Sequence, residues 1–192
     1  MQRNGISEVK KTALLLKKPN WTKKTRKKNY SLKTGDIEIV INGRLQELNI
    51  TLPELHDNAM PYALGVVSGR NVILSGQTPR VNGEQKYTGT LGTPSINVEE
   101  AQDAARICVI NLLGALKELV GDLDQVERIV KINGYVASTN DFTEHSKVIN
   151  AASVLLNDIF REGKKHARVA IGLASLPGGA PVEIEMIAEL KA

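Results

Sequence analysis

The 192-residue chain contains a single cysteine, Cys108, so no internal disulfide can form. A chain of this length without disulfides suits a reducing compartment. Histidine is almost as scarce. His56, His145 and His166 stand far apart, with no HxxxH or CxxC spacing, and no metal site is visible. No apolar run approaches the roughly 18 residues needed to span a bilayer. No hydrophobic segment ends in a small-residue cleavage site either, so no membrane-embedded segment is expected and the expected location is cytoplasmic. The glycines of YTGTLGTP (87–94) lack the strand–turn–helix setting of a phosphate cradle, and nothing calls for a cofactor. Local context pairs no serine with a histidine. Aromatic residues make up 4% of the chain, too few for a platform on which nucleic-acid bases could stack.

Acidic residues are nearly absent from one region. Residues 1–35 hold eleven of the 25 Lys/Arg and only Glu8 of the 21 Asp/Glu. Residues 36–192 are left with a net charge of −6, so the +4 of the whole chain belongs to the tail. A nucleic-acid footprint could therefore come only through residues 1–35. The expected organisation is a basic, disordered tail over 1–35 and one domain over 36–192, long enough to bury a core. For the tail, a solvated extension, an RNA or anionic-membrane contact and a targeting segment all stay open.

From residue 36 the pattern becomes globular. DIEIVINGRLQELNITLPEL (36–55) reads as a short strand or helix leading into an extended entry through Pro53. YALGVVSGRNVILSG (62–76) reads as two strands around the Ser68-Gly69 turn, and RVNGEQKYTGTLGTP (80–94) as a loop or hairpin. Asn97 and Glu100 form a plausible capping pair. Behind them Ala101, Ala104, Ala105, Cys108, Leu112, Ala115, Leu116 and Leu119 repeat at helical spacing until Gly121 can end the helix. On that face Cys108 is expected to pack in the core and not to act as a nucleophile. VERIVKINGYVAST (126–139) alternates like a strand, and FTEHSKVINAASVLLNDIF (142–160) returns to helical spacing through Val148, Ala152, Leu155 and Ile159. RVAIGLASL (168–176) and PVEIEMIAEL (181–190) flank Pro177–Pro181 and are expected to form a β-hairpin. This order predicts an α+β fold, a mixed sheet with two helices packed on one face. The other face needs a cover, and self-association is the economical one.

Five segments carry a resemblance: Met60-Pro61-Tyr62, Ser75-Gly76-Gln77-Thr78-Pro79, Ala167-Arg168, Ser175-Leu176-Pro177 and Val182-Glu183-Ile184-Glu185-Met186-Ile187-Ala188. In order and spacing, over about residues 50–192, they resemble the YjgF/Rid family of reactive-intermediate deaminases, also called L-PSP endoribonucleases. The added N-terminal segment and the loop around Val81–Pro94 look like the longer subgroup. The resemblance implies a chorismate-mutase-like trimeric fold with sites between subunits, no cofactor, and hydrolysis of 2-imino acids and their enamine tautomers to 2-keto acids and ammonia. It implies that Arg168 grips the substrate carboxylate, a task suited to a planar guanidinium that stays charged. It implies that Glu183 places or activates the attacking water. Tyr62, Ser75 and Asn150 would line the pocket. Ala170 stands where the family often has cysteine, and would contact the substrate nitrogen through its backbone carbonyl. Met60 replaces a glycine usual before Pro-Tyr.

Read from the residues alone, Arg168 could instead pair with Glu185 or Glu189. In the expected hairpin Glu183 faces about Ser175, which puts Arg168 more than about 20 Å away. Either the register differs or the two residues meet across a subunit boundary, and the resemblance favours the boundary. An RNA-binding or RNA-cleaving protein is the alternative function, and a non-catalytic small-molecule-binding trimer is another.

Overall fold

A computed structural model of the protein describes residues 41–55, 61–160 and 165–192. The basic tail, His56 and Met60 lie outside the described residues. In chain order the elements are α1 (Ile41–Glu47), β1 (Gly65–Ser68), β2 (Asn71–Gln77), β3 (Arg80–Val81), β4 (Glu84–Gln85), α2 (Val98–Val120), β5 (Val126–Ala137), α3 (His145–Phe160), β6 (Ala167–Leu173) and β7 (Val182–Leu190). Short 3-10 turns at Leu123–Gln125 and Pro177–Gly179 precede β5 and β7. The α+β class holds. The expectation of two helices is corrected by a third, α1, whose Ile41 and Leu45 are buried. Arg44 of α1 donates from Nη2 to the Asp158 carbonyl at 2.8 Å, satisfying an acceptor in the last turn of α3.

Helix α2 begins where a capping box closes. Asn97 Oδ1 accepts from the Glu100 amide at 2.9 Å, and Glu100 Oε2 accepts from the Asn97 amide at 3.0 Å. It ends at Gly121, whose positive φ of 78° turns the chain while its amide bonds to the Lys117 carbonyl. Of the eight residues read as its apolar face, all are buried except Leu119, which is partly buried. Cys108 is among them, fully enclosed. Alanines at 101, 104, 105 and 115 keep that face low, so α2 packs closely beside α3 over the sheet. Leu112, Leu116, Ile149 and Leu155 fill the space between. Each contributes about 1.5–3 kcal/mol by leaving water.

The main sheet runs β1-β2-β7-β5-β6. All its pairings are antiparallel except β5 with β6. A separate ribbon, β3 with β4, turns at Asn82-Gly83, both with positive φ. The expected C-terminal hairpin is wrong. Chain segments joined through a helix become parallel neighbours, and α3 joins β5 to β6 in that way. Strand β7 then inserts between β2 and β5, where its Val182, Ile184, Met186 and Ala188 reach 0–1% exposure against the helices. Strand β6 is left at the edge, and Glu183 pairs with Tyr135, not with a residue near Ser175.

With all described helices on one face, the other face of the sheet is open. Along it Val66, Ile73, Val169, Ile171 and Leu173 are large apolar side chains in solvent.

Candidate functional site

The six residues singled out from the sequence fall into two groups on opposite faces of the sheet. In register, Arg168 pairs with Ile132, which pairs with Met186; Ala170 pairs with Gly134. Paired residues share a face, and Ile132 and Met186 are buried under the helices, so Arg168 and Ala170 point toward α3. There Arg168 Nη1 donates to Asn150 Oδ1 at 2.8 Å and to Ser153 Oγ at 3.2 Å. Ser153 Oγ also lies 3.0 Å from His166 Nε2. Neither Glu185 nor Glu189 takes the guanidinium. Glu189 is held by Arg70 and Arg128. Glu185 Oε2 accepts from Asn133 Nδ2 at 3.1 Å and from the Tyr135 hydroxyl at 3.0 Å.

Glu183 stands on the open face, opposite its buried neighbours Val182 and Ile184. A bulge in β2 between Leu74 and Gln77 makes room for it. A Cβ at Gly76 would come within 2.1 Å of Glu183 Oε1, so only glycine leaves the carboxylate this position. Burial, and then the neighbouring Glu185 carboxylate, push the Glu183 pKa above the ordinary glutamate value. Tyr135 is likewise raised, by burial and then by its bond to Glu185.

Beside the bulge is a shallow cavity of about 420 Å³, and its lining brings together Tyr62, Ser75, Lys131, Asn133 and Glu185. Tyr62 is 58% exposed at its rim. Ser75 is held by its hydroxyl to the Ala63 carbonyl at 2.7 Å. Asn133 Oδ1 is buried with no hydrogen-bond partner, an acceptor left for a donor from outside. Arg168 is not part of this lining. From the register, it lies about 10 Å along the sheet from Glu183 and two strands, about 10 Å, across it. No small molecule could touch both within one chain.

Sequence reasoning missed Lys131, Asn133 and Tyr135, which carry no motif, and two serine–histidine contacts. Besides Ser153–His166, Ser138 Oγ lies 3.0 Å from His145 Nε2. The first was legible in principle. Ser153 is one helical turn beyond Asn150, and His166 is two strand positions before Arg168, so each points the way its partner does. Among the described residues no three His, Cys, Asp or Glu are grouped so as to hold a metal ion. No described helix is long and apolar enough to cross a membrane.

A mixed sheet covered by helices on one side, with an arginine at its edge and a half-buried glutamate on its open face, defines a two-layer α+β protein. The family described as "YjgF/chorismate mutase-like, putative endoribonuclease" matches residues 42–190. The chain belongs to that family. Protein TCP17 of Trypanosoma cruzi is 42% identical over 159 residues, 80% of this chain and 99% of that one. A solved Agrobacterium tumefaciens protein of unknown function is 43% identical, with a TM-score of 0.72 over 79% of this chain and 93% of its own. A Shewanella oneidensis protein described in endoribonuclease terms is 28% identical, with a TM-score of 0.74 over 79% of this chain and 99% of its own.

Proposed function

We propose that the protein hydrolyses reactive 2-imino acids, with their enamine tautomers, to 2-keto acids and ammonia. The observation that carries this reading is the state of Arg168. Asn150 and Ser153 hold it through Nη1 alone, while Nε and Nη2 have no partner among the described residues. A guanidinium fixed on one side and open on the other is a carboxylate receptor. The second requirement is a base for water, and the raised pKa of Glu183 makes it a stronger one than an ordinary glutamate.

The step balances without a redox partner. Water loses a proton to the Glu183 carboxylate as its oxygen bonds to C2 of the iminium. Glu183 then returns that proton to the nitrogen; as the C–N bond breaks, the new hydroxyl gives its proton to the Glu183 carboxylate, C2 becomes the ketone, and the nitrogen leaves as ammonia. An iminium carbon is already electrophilic, so orienting water and substrate supplies the catalysis.

The two groups of residues act together when copies of the chain associate, as a homotrimer with its sites between subunits. One copy presents Arg168, Ala170 and Asn150 at the edge of β6; the next presents Glu183, Tyr62 and Ser75. The separation of the groups in one chain and the exposed apolar side chains of the open face support this reading.

The test generates 2-iminobutyrate with a threonine dehydratase and follows 2-oxobutyrate release over the spontaneous rate. Acceleration by wild-type protein and none by Arg168→Ala is the expected result; equal rates with both proteins dispose of the deaminase. The endoribonuclease wording shared with the Shewanella relative favours a second reading, RNA cleavage. Cleavage that survives removal of residues 1–35 would favour it, whereas binding lost with the tail is charge attraction.

A further inference from the structure

The guanidinium of Arg168 has five N–H donors, and the two on Nη1 are spent on Asn150 Oδ1 and Ser153 Oγ. The Ser153 oxygen accepts from arginine, which can only donate, so its own hydrogen is free for His166 Nε2 at 3.0 Å. With the hydroxyl donating, the chain runs one way, from Arg168 through Ser153 to a neutral imidazole carrying its proton on Nδ1. Burial, and then the adjacent Arg168 charge, hold the His166 pKa below the ordinary histidine value, which favours a neutral ring. The three donors left over are on Nε and Nη2. Of these, the Nε–H and one Nη2–H share an edge of the plane that takes no partner among the described residues, spaced for the two oxygens of a single carboxylate.

We infer that Ser153 and His166 are positioning residues that, with Asn150, tie Nη1 to the framework and so admit a substrate carboxylate only side-on, at the Nε/Nη2 edge. Without them the guanidinium could turn and offer its Nη1/Nη2 end, which would swing the rest of the substrate to a different angle. Asn150 alone leaves rotation about its single bond; Ser153, locked in turn by His166, removes it. This inference rests on the reading of Arg168 as the carboxylate anchor.

The full-length protein is compared as wild type, Ser153→Thr, Ser153→Val and Arg168→Ala. Threonine and valine match in shape and differ in the hydroxyl, so any loss from repacking is common to both. Equilibrium binding of the stable product 2-oxobutyrate is measured for each. Valine is expected to weaken binding about fivefold to tenfold, the worth of one hydrogen bond, and threonine to stay within about twofold. Nitrogen NMR of the wild type at neutral pH is expected to show His166 Nε2 unprotonated, with the assignment made by His166→Gln. Equal affinities for the valine and threonine variants, or a proton on Nε2, would overturn the inference and leave the anchor standing. Undiminished binding by Arg168→Ala would overturn the anchor itself.

Discussion

Strands β6 and β7 are similar in sequence character and opposite in surroundings. ARVAIGL and VEIEMIAEL both alternate, and both are rich in β-branched residues. β7 is central, paired on both sides, with one face sealed by the helices. β6 is an edge strand whose Val169, Ile171 and Leu173 face water. One strand is stabilised by its own chain, while the other presents apolar surface and an unpaired backbone edge that single chains normally blunt. Each carries one of the two charged residues expected to do the chemistry. On the proposed reading, β7 serves the fold and the water-activating half of the site, and β6 serves assembly and substrate anchorage.

The largest expected effect breaks the β7 side. Glu183→Gln should lower kcat by about a thousandfold, within the range for loss of a general base. It should also raise the melting temperature at neutral pH. Burial raises the Glu183 pKa, so the folded state holds this proton more tightly than the unfolded chain does. Its contribution therefore favours folding in acid and is lost as pH rises through the raised value; glutamine removes the cost of the buried charge. Calorimetry and steady-state kinetics on the same preparation would check both. A drop in melting temperature would contradict the burial argument.

Arg168→Ala breaks the β6 side, and about a hundredfold loss in kcat/KM is expected, dominated by weaker substrate binding. Gly76→Ala, on β2 beside Glu183, comes next. The three atoms that its new methyl would crowd most all belong to the flexible Glu183 side chain. Turnover should fall about tenfold to a hundredfold while the melting temperature stays nearly unchanged. Unaltered turnover would show that the placement of Glu183 does not matter.

The smallest effects on activity, and the sharpest test of the comparison, come from matched apolar truncations. Ile184→Ala in β7 should cost about 2–5 kcal/mol in denaturant unfolding. Ile171→Ala in β6, 42% exposed, should cost less than about 1 kcal/mol within a chain but weaken association, as read by sedimentation. Equal costs at the two positions would erase the distinction between the strands.

Much of this protein was legible in its sequence wherever a local period or cap decides the outcome. The alanine-lined α2 with its Asn97–Glu100 box, the α3 face, the Ser68-Gly69 turn and the alternation of β5 are all properties of neighbouring residues. So were the two charged candidates, through the resemblance they complete. Which strand lies beside which was not legible. Pro177–Pro181 reads as a hairpin turn until the helix between β5 and β6 claims that pairing, and an apolar alternation looks the same in a central strand as in an edge strand.

What the sequence determined alone is therefore most of the elements and the charges placed at Arg168 and Glu183, because hydrogen-bonding periods and side-chain charge are local. What the tertiary structure decided is that these two side chains leave the sheet on opposite faces, one tied to α3 and one cradled over Gly76. That outcome depends on strand order, which is set by the burial of Val182, Ile184 and Met186 against helices far away in the chain, and no local pattern encodes it.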